Sequence, residues 1–160
     1  MKTSLTWSKG VFSSMYQIYT DTDQVGSLKD KAFSQSAKGV FDGKEYIFKT
    51  NGCFRQITDI IDCSDNMVIG KIEYSNWMTK AKISLNNKTF HWKYDNIWNT
   101  KWTIFDSNGI LMSFKGSTTK GKIESDLNDP SLILTGLFVT NYYWQMSATI
   151  MIVLLIPIIA

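Results

Sequence analysis

The chain has 160 residues, with 17 Lys and Arg against 14 Asp and Glu, one His, and 44% hydrophobic residues. That is one domain's worth of chain with material for a packed core, and fractions of 19% charged and 14% aromatic exclude disordered, collagen-like and coiled-coil chains. A net charge of +3 without a block of five like charges speaks against a nucleic-acid partner.

The N-terminal run from Met1 to Gly10 holds one early Lys and no apolar stretch of the length an export signal needs, which predicts a cytoplasmic body. From Leu5 to about Asp126 short apolar and polar residues alternate between turn residues. Strands are expected at Leu5 to Trp7, Val11 to Tyr19, Val25 to Phe33, Val40 to Asp42, Glu45 to Thr50 and Cys53 to Ile57. They continue at Met67 to Tyr74, Lys80 to Leu85, Thr89 to Tyr94, Trp102 to Phe105, Ile110 to Lys115 and Gly121 to Asp126. Asp42-Gly43, Asn51-Gly52, Asn86-Asn87 and Asn108-Gly109 are pairs that tolerate positive φ and suit two-residue hairpin turns. Roughly eleven or twelve strands at this spacing predict an all-β sandwich or barrel. No Pro precedes position 130, as suits a closed sheet whose N–H groups all enter the ladder. The hairpins 46–55 and 102–111 look alike, and convergence on the same turn chemistry is favoured over internal duplication as the reason.

Every charged side chain lies at or before Asp129. Asp129-Pro130 supplies an N-cap carboxylate and a Pro at the first helical position, so a helix is expected to start there. Leu132, Ile133, Leu134, Leu137, Phe138 and Val139 make it apolar on every face, which requires burial in a protein core or in lipid. The expected division is a single domain 1–160, with a β region 1–128, an apolar helix 129–146 and an apolar extension 147–160. Tyr142, Tyr143 and Trp144 fall between the two apolar halves and are candidates for a membrane interface. Met146 to Ala160 is 15 residues, roughly 22 Å of helix, short of the ~30 Å hydrocarbon thickness.

The run Lys44-Glu45-Tyr46-Ile47-Phe48, then Gly70-Lys71-Ile72 before Lys80-Ala81-Lys82-Ile83, then Trp102 to Gly109, then Asp129-Pro130-Ser131-Leu132-Ile133-Leu134, resembles the tubby C-terminal-like superfamily in pattern and order. That superfamily includes the LURP-one-related proteins and the phospholipid scramblases. The resemblance spans about Lys9 to Gln145 and implies a closed antiparallel barrel of about twelve strands around a hydrophobic C-terminal helix. It implies lipid-associated functions, phosphoinositide binding in tubby proteins and scrambling in scramblases. No lipid-binding residue of the superfamily matches a position here, and the Cys- and Pro-rich leader of scramblases is missing.

No constellation of residues specifies a reaction, and neither enzyme activity nor a cofactor is expected. His91 is the sole histidine. In Phe90-His91-Trp92-Lys93-Tyr94 the three aromatics share one strand face, with His91 and Lys93 on the other, toward solvent. Asp21-Thr22-Asp23 begins like a calcium loop but fails at Val25 and Ala32, where oxygen ligands are required. Asp59, Asp62 and Asp65 around an expected turn read as loop capping and not as a metal site, so no metal is expected. Gly116 to Gly121 lacks phosphate-loop spacing, Asn87-Lys88-Thr89 has meaning as a glycosylation acceptor only in an exported chain, and Cys53 and Cys63 are expected to be reduced thiols.

Outward lysines on successive strands, Lys80, Lys82, Lys93, Lys101, Lys115, Lys120 and Lys122, interleaved with Trp77, Trp98 and Trp102, form a candidate anionic-lipid surface, set against a plain solvated exterior with the Trp residues in the core. The function expected is that of a non-enzymatic interaction or lipid-associated module. Its C-terminal apolar extension would meet membrane lipid or a protein partner. Two rivals are a tail-anchored membrane protein with residues 131–160 in lipid and a small apolar ligand carrier, although the Gly-x-Trp signature of lipocalins is missing.

Overall fold

In the computed structural model, which describes residues 2–11, 13–30 and 35–159, the chain is a closed antiparallel barrel threaded by one helix. The strands are β1 (Thr3–Ser8), β2 (Met15–Tyr19), β3 (Gln24–Asp30), β4 (Ser36–Phe41), β5 (Lys44–Asn51) and β6 (Ile57–Asp62). They continue as β7 (Met67–Tyr74), β8 (Lys80–Leu85), β9 (Lys88–Tyr94), β10 (Lys101–Asp106), β11 (Gly109–Gly116) and β12 (Lys120–Ser125), followed by α1 (Pro130–Ile159). Each strand pairs with its sequence neighbours, and β1 closes the barrel on β12 with Thr3 opposite Ser125 and Ser8 opposite Lys120. A closed meander leaves no sheet edge, so no strand has to shield a row of free backbone groups.

The alternation expected of half-buried strands is present: Leu5, Ile18, Leu28, Phe48, Ile72, Ile83, Trp92, Phe114 and Ile123 point inward and are buried. Asp42-Gly43 and Asn86-Asn87 turn as expected, with both residues of each pair at positive φ. The hairpin expected at Asn108-Gly109 turns one residue earlier, at Ser107-Asn108, because the Asp106 carboxylate accepts from the Asn108 N–H at 2.7 Å and forms an Asx-turn.

Three expected strands differ more. Val11 to Tyr19 is strand only from Met15, since the Ser13 N–H donates to the Gly10 carbonyl and turns the chain first; Phe12 lies outside the described residues. The expected Val25 to Phe33 strand is described through Asp30, and residues 31–33 lie outside the described residues. Cys53 to Ile57 is not a strand: Asn51 ends β5 opposite Ile57, and 52–56 connect it to β6, which the alternation did not indicate. In β6 the inward positions are Thr58 and Ile60, whereas Ile57 and Ile61 face outward, so hydrophobicity points to the wrong face. Thr58 is tolerated inside because its hydroxyl bonds those of Thr50 at 2.7 Å and Tyr74 at 2.6 Å.

The helix begins where expected. Asp129 caps it, its Oδ1 accepting from the Leu132 N–H at 3.1 Å and the Ser131 hydroxyl at 2.6 Å, with Pro130 at the first helical position. Leu132, Ile133, Leu134, Leu137, Phe138 and Val139 fill the barrel lumen, each at most 3% exposed. Close fit requires small residues at two points. A Cβ on Gly136 would lie no farther than 2.8 Å from three atoms of the Phe114 ring, and one on Gly39 would lie 2.9 Å from Leu134. The indole N–H groups of Trp92 and Trp102 both donate to the Gly136 carbonyl, at 3.2 and 3.1 Å, and fix the helix in height and rotation. Unlike the expected break near 146, α1 continues as one helix to Ile159, with Pro157 in its last turn.

Candidate functional site

Antiparallel strands put alternate connections at the same end. The described connections 9–11 and 13–14, 52–56, 75–79, 95–100 and 117–119 lie at one end, and 20–23, 42–43, 63–66, 86–87, 107–108 and 126–129 at the other. The helix enters through the second, the cap end, and leaves through the first, the exit end, where its side chains engage the connections. Tyr142 donates to Gln56, and Tyr143 donates to the Lys80 carbonyl and accepts from the Ser75 N–H at 3.1 Å.

A polar collar seals the exit. Asp30, 5% exposed, accepts from Asn141 Nδ2 at 2.8 Å and from Gln145 Nε2 at 3.4 Å, and Tyr94 and Thr140 share a hydroxyl bond at 2.9 Å. Burial raises the Asp30 carboxyl to about 6 against the pull of those two amide donors, and the same loss of hydration raises the Tyr16 and Tyr74 phenols. Beside the collar a cavity of about 490 Å³ lies between α1 and β3 to β5, walled by Phe48, Phe138, Tyr142, Met146 and Ile152 with Asp30 and Gln145 at its polar side.

Beyond the collar the helix is bare. From Thr149 to Ile159 every residue is exposed, with no charge in the segment. Around it stand apolar loop tips: Phe54, fully exposed, Trp77 at 86%, Ile97 at 87% and Trp98 at 78%. Met67, Val68, Ile110 and Leu127 are exposed toward the cap end, but only at the exit end do such residues stand beside an exposed apolar helix, and there they form a patch of the sort that marks an interaction surface.

Of the interface aromatics expected from sequence, Trp144 is half exposed, with the Lys9 ammonium 4.7 Å from its ring. Tyr143 is not at an interface: it is buried, its hydroxyl committed to Ser75 and Lys80. Tyr142 is half-buried and stacks on Tyr74 at 3.9 Å. Trp102, expected among the surface lysines, is also inside the barrel, stacked on Phe114. Sequence reasoning missed Phe54 because alternation placed it in an expected strand, and Ile97 because it sits in a connection where periodicity carries no signal.

The seven lysines do face outward, on the flank β8 to β12, and most lie toward the exit end. Lys80 stands opposite Lys93, and Lys115 stands between Lys101 and Lys122 in a cross-strand row. Lys82 alone of the seven forms an ion pair among the described residues, with Glu73 at 4.0 Å. Lys115, Lys120 and Lys122 line one cavity of about 660 Å³ with Thr6, Ser8, Thr100 and Ser117. Trp7 also lines it, and its buried indole N–H has no partner among the described residues. The cap end is the reverse in charge: Asp21, Asp23, Asp42, Asp62, Asp65, Asp106, Asp126 and Asp129 lie in or beside its connections, against Lys2, Lys44 and Lys88. The barrel is therefore polarised along its axis.

His91 faces outward beside Phe105. Asp59 is not a turn residue but a strand residue between Lys49 and Lys71, which separates it from Asp62 and Asp65. No group of three metal-ligating side chains occurs among the described residues. Cys53 at the exit end and Cys63 at the cap end are free thiols.

No protein family, no curated protein and no solved structure matches this chain.

Proposed function

We propose that the protein is a non-enzymatic, tubby-like barrel held at a membrane by the exposed half of α1. One observation carries this reading: an uncharged helix leaves the barrel and presents apolar side chains on every face from Thr149 to Ile159. Water solvates such a surface poorly. Each Ile, Leu or Val gains roughly 0.3–0.6 kcal/mol at mid-bilayer, which sums to a few kcal/mol over this segment. The exposed run rises roughly 15 Å, the depth of one leaflet. The helix as a whole is long and apolar enough to cross a membrane, but Ser131 to Asn141 are enclosed by the barrel and do not meet lipid. The twelve strands and the threaded helix are the architecture that the superfamily resemblance implies. A carrier of the lipocalin kind fits less well, since α1 occupies the lumen.

The test is flotation of the full-length protein with phosphatidylcholine vesicles, alongside an Ile152→Asp, Leu155→Asp variant. Both positions are exposed, so the variant barrel folds, as circular dichroism will verify. Wild type is expected to float and the variant to stay in the buffer. Equal behaviour of the two sinks the reading.

A further inference from the structure

We infer that the exit end docks on an anionic leaflet, with Trp77, Ile97 and Trp98 entering the interface and the lysine rows of the β8 to β12 flank lying over headgroup phosphates. This rests on the tail being held in lipid, and adds an orientation and a lipid charge to it. The first support is placement. Trp77 lies in the β7–β8 connection and Ile97 and Trp98 in the β9–β10 connection, on the flank that carries the lysines, and indoles prefer the boundary between hydrocarbon and water. The second is charge. Like charges directly opposite on neighbouring strands repel, and Lys101, Lys115 and Lys122 are arranged in that way without an acidic partner among the described residues. A sheet of phosphates relieves the repulsion. The third is the open recess of about 660 Å³ at which Lys115, Lys120 and Lys122 come together, gathering three cations at one place on the flank. The acidic cap end, finally, is repelled by the same leaflet, so only one orientation satisfies both ends.

The two native thiols report that orientation. Cys53 is exposed beside Phe54 at the exit end, and Cys63 sits in the β6–β7 turn at the cap end. Full-length protein is mixed with vesicles of phosphatidylcholine alone or of phosphatidylcholine with phosphatidylserine, and alkylation of each thiol by a water-soluble maleimide is followed by mass spectrometry. On the mixed vesicles Cys53 is expected to slow at least about five-fold relative to its own rate in buffer while Cys63 is unchanged. Binding should tighten on adding phosphatidylserine by up to about five-fold per engaged lysine. A Lys101→Gln, Lys115→Gln, Lys122→Gln variant should lose most of that preference, and a Trp77→Ser, Trp98→Ser variant should bind more weakly to both vesicles. Flotation with neutral vesicles that phosphatidylserine does not improve, with the lysine variant unaffected, overturns this inference and leaves the tail reading standing. Protection of Cys63 in place of Cys53 overturns it as well. Failure to float with either vesicle removes both readings together.

Discussion

Two residues inside the exit half of the barrel set terms that the rest must meet. Gly136 lets α1 approach the Phe114 ring, and any side chain there meets ring atoms at less than contact distance. Ala is the better helix former by about 1 kcal/mol, yet overpacking costs about 1–3 kcal/mol, so Gly136→Ala is expected to destabilise, and Phe114→Leu in the same chain should restore part of the loss. Urea titration of the two variants checks this. Asp30 works through protonation. Its folded value of about 6 stands above the ordinary 3.8, so the folded state holds the proton more tightly than the unfolded one. Stability from this group is therefore complete below about pH 4 and is lost as pH rises through 6. Asp30→Asn keeps an oxygen for the Asn141 and Gln145 donors and should flatten the pH 4–6 slope, with a gain of about 1–2 kcal/mol at pH 7 after allowance for solvent screening. Thermal melts across that pH range decide it, and an unchanged slope would show that the collar does not titrate.

Among the elements, the helix start is written most plainly in the sequence. Replacing Asp129 by Ala removes the acceptor for the Leu132 N–H and the Ser131 hydroxyl, and should cost about 1 kcal/mol of stability, measurable by denaturant unfolding. The strands whose inward residues are apolar were legible for the same reason, since period-two burial and period-two hydrophobicity coincide. β6 was not. There Thr58 occupies an inward position and is satisfied by Thr50 and Tyr74, partners that lie 8 and 16 residues away and are invisible to a local pattern. The neighbouring Asn51-Gly52 resembled a two-residue turn because the residue types of a tight hairpin also suit the start of a longer connection; Gly52 does take φ of 99°. The lysine flank was visible as outward positions, but its cross-strand rows depend on register, which single-strand periodicity does not contain. The group Tyr142, Tyr143 and Trp144 was misread at Tyr143 because composition places Tyr at an interface without saying whether a protein wall or a lipid headgroup forms it.

On the scale of the whole molecule, barrel and helix are one folding unit. Leu132, Ile133, Leu134, Leu137, Phe138 and Val139 each contribute about 1.5–3 kcal/mol by burial, together comparable to the entire net stability of an ordinary domain. A chain ending at Asp129 is expected to lack cooperative unfolding and native circular dichroism. If it folds, the helix is a passenger and not the core. The pairing of β1 with β12 adds a constraint of timing. As the chain leaves the ribosome, Thr3 to Ser8 must wait for Lys120 to Ser125, and the inward faces of all twelve strands wait longer still for the segment that covers them. Local hairpins form early, but nothing before α1 gives the barrel an interior. Until α1 emerges, a nascent chain of this design holds the inward faces of its strands open to solvent, the condition in which partly folded chains associate wrongly.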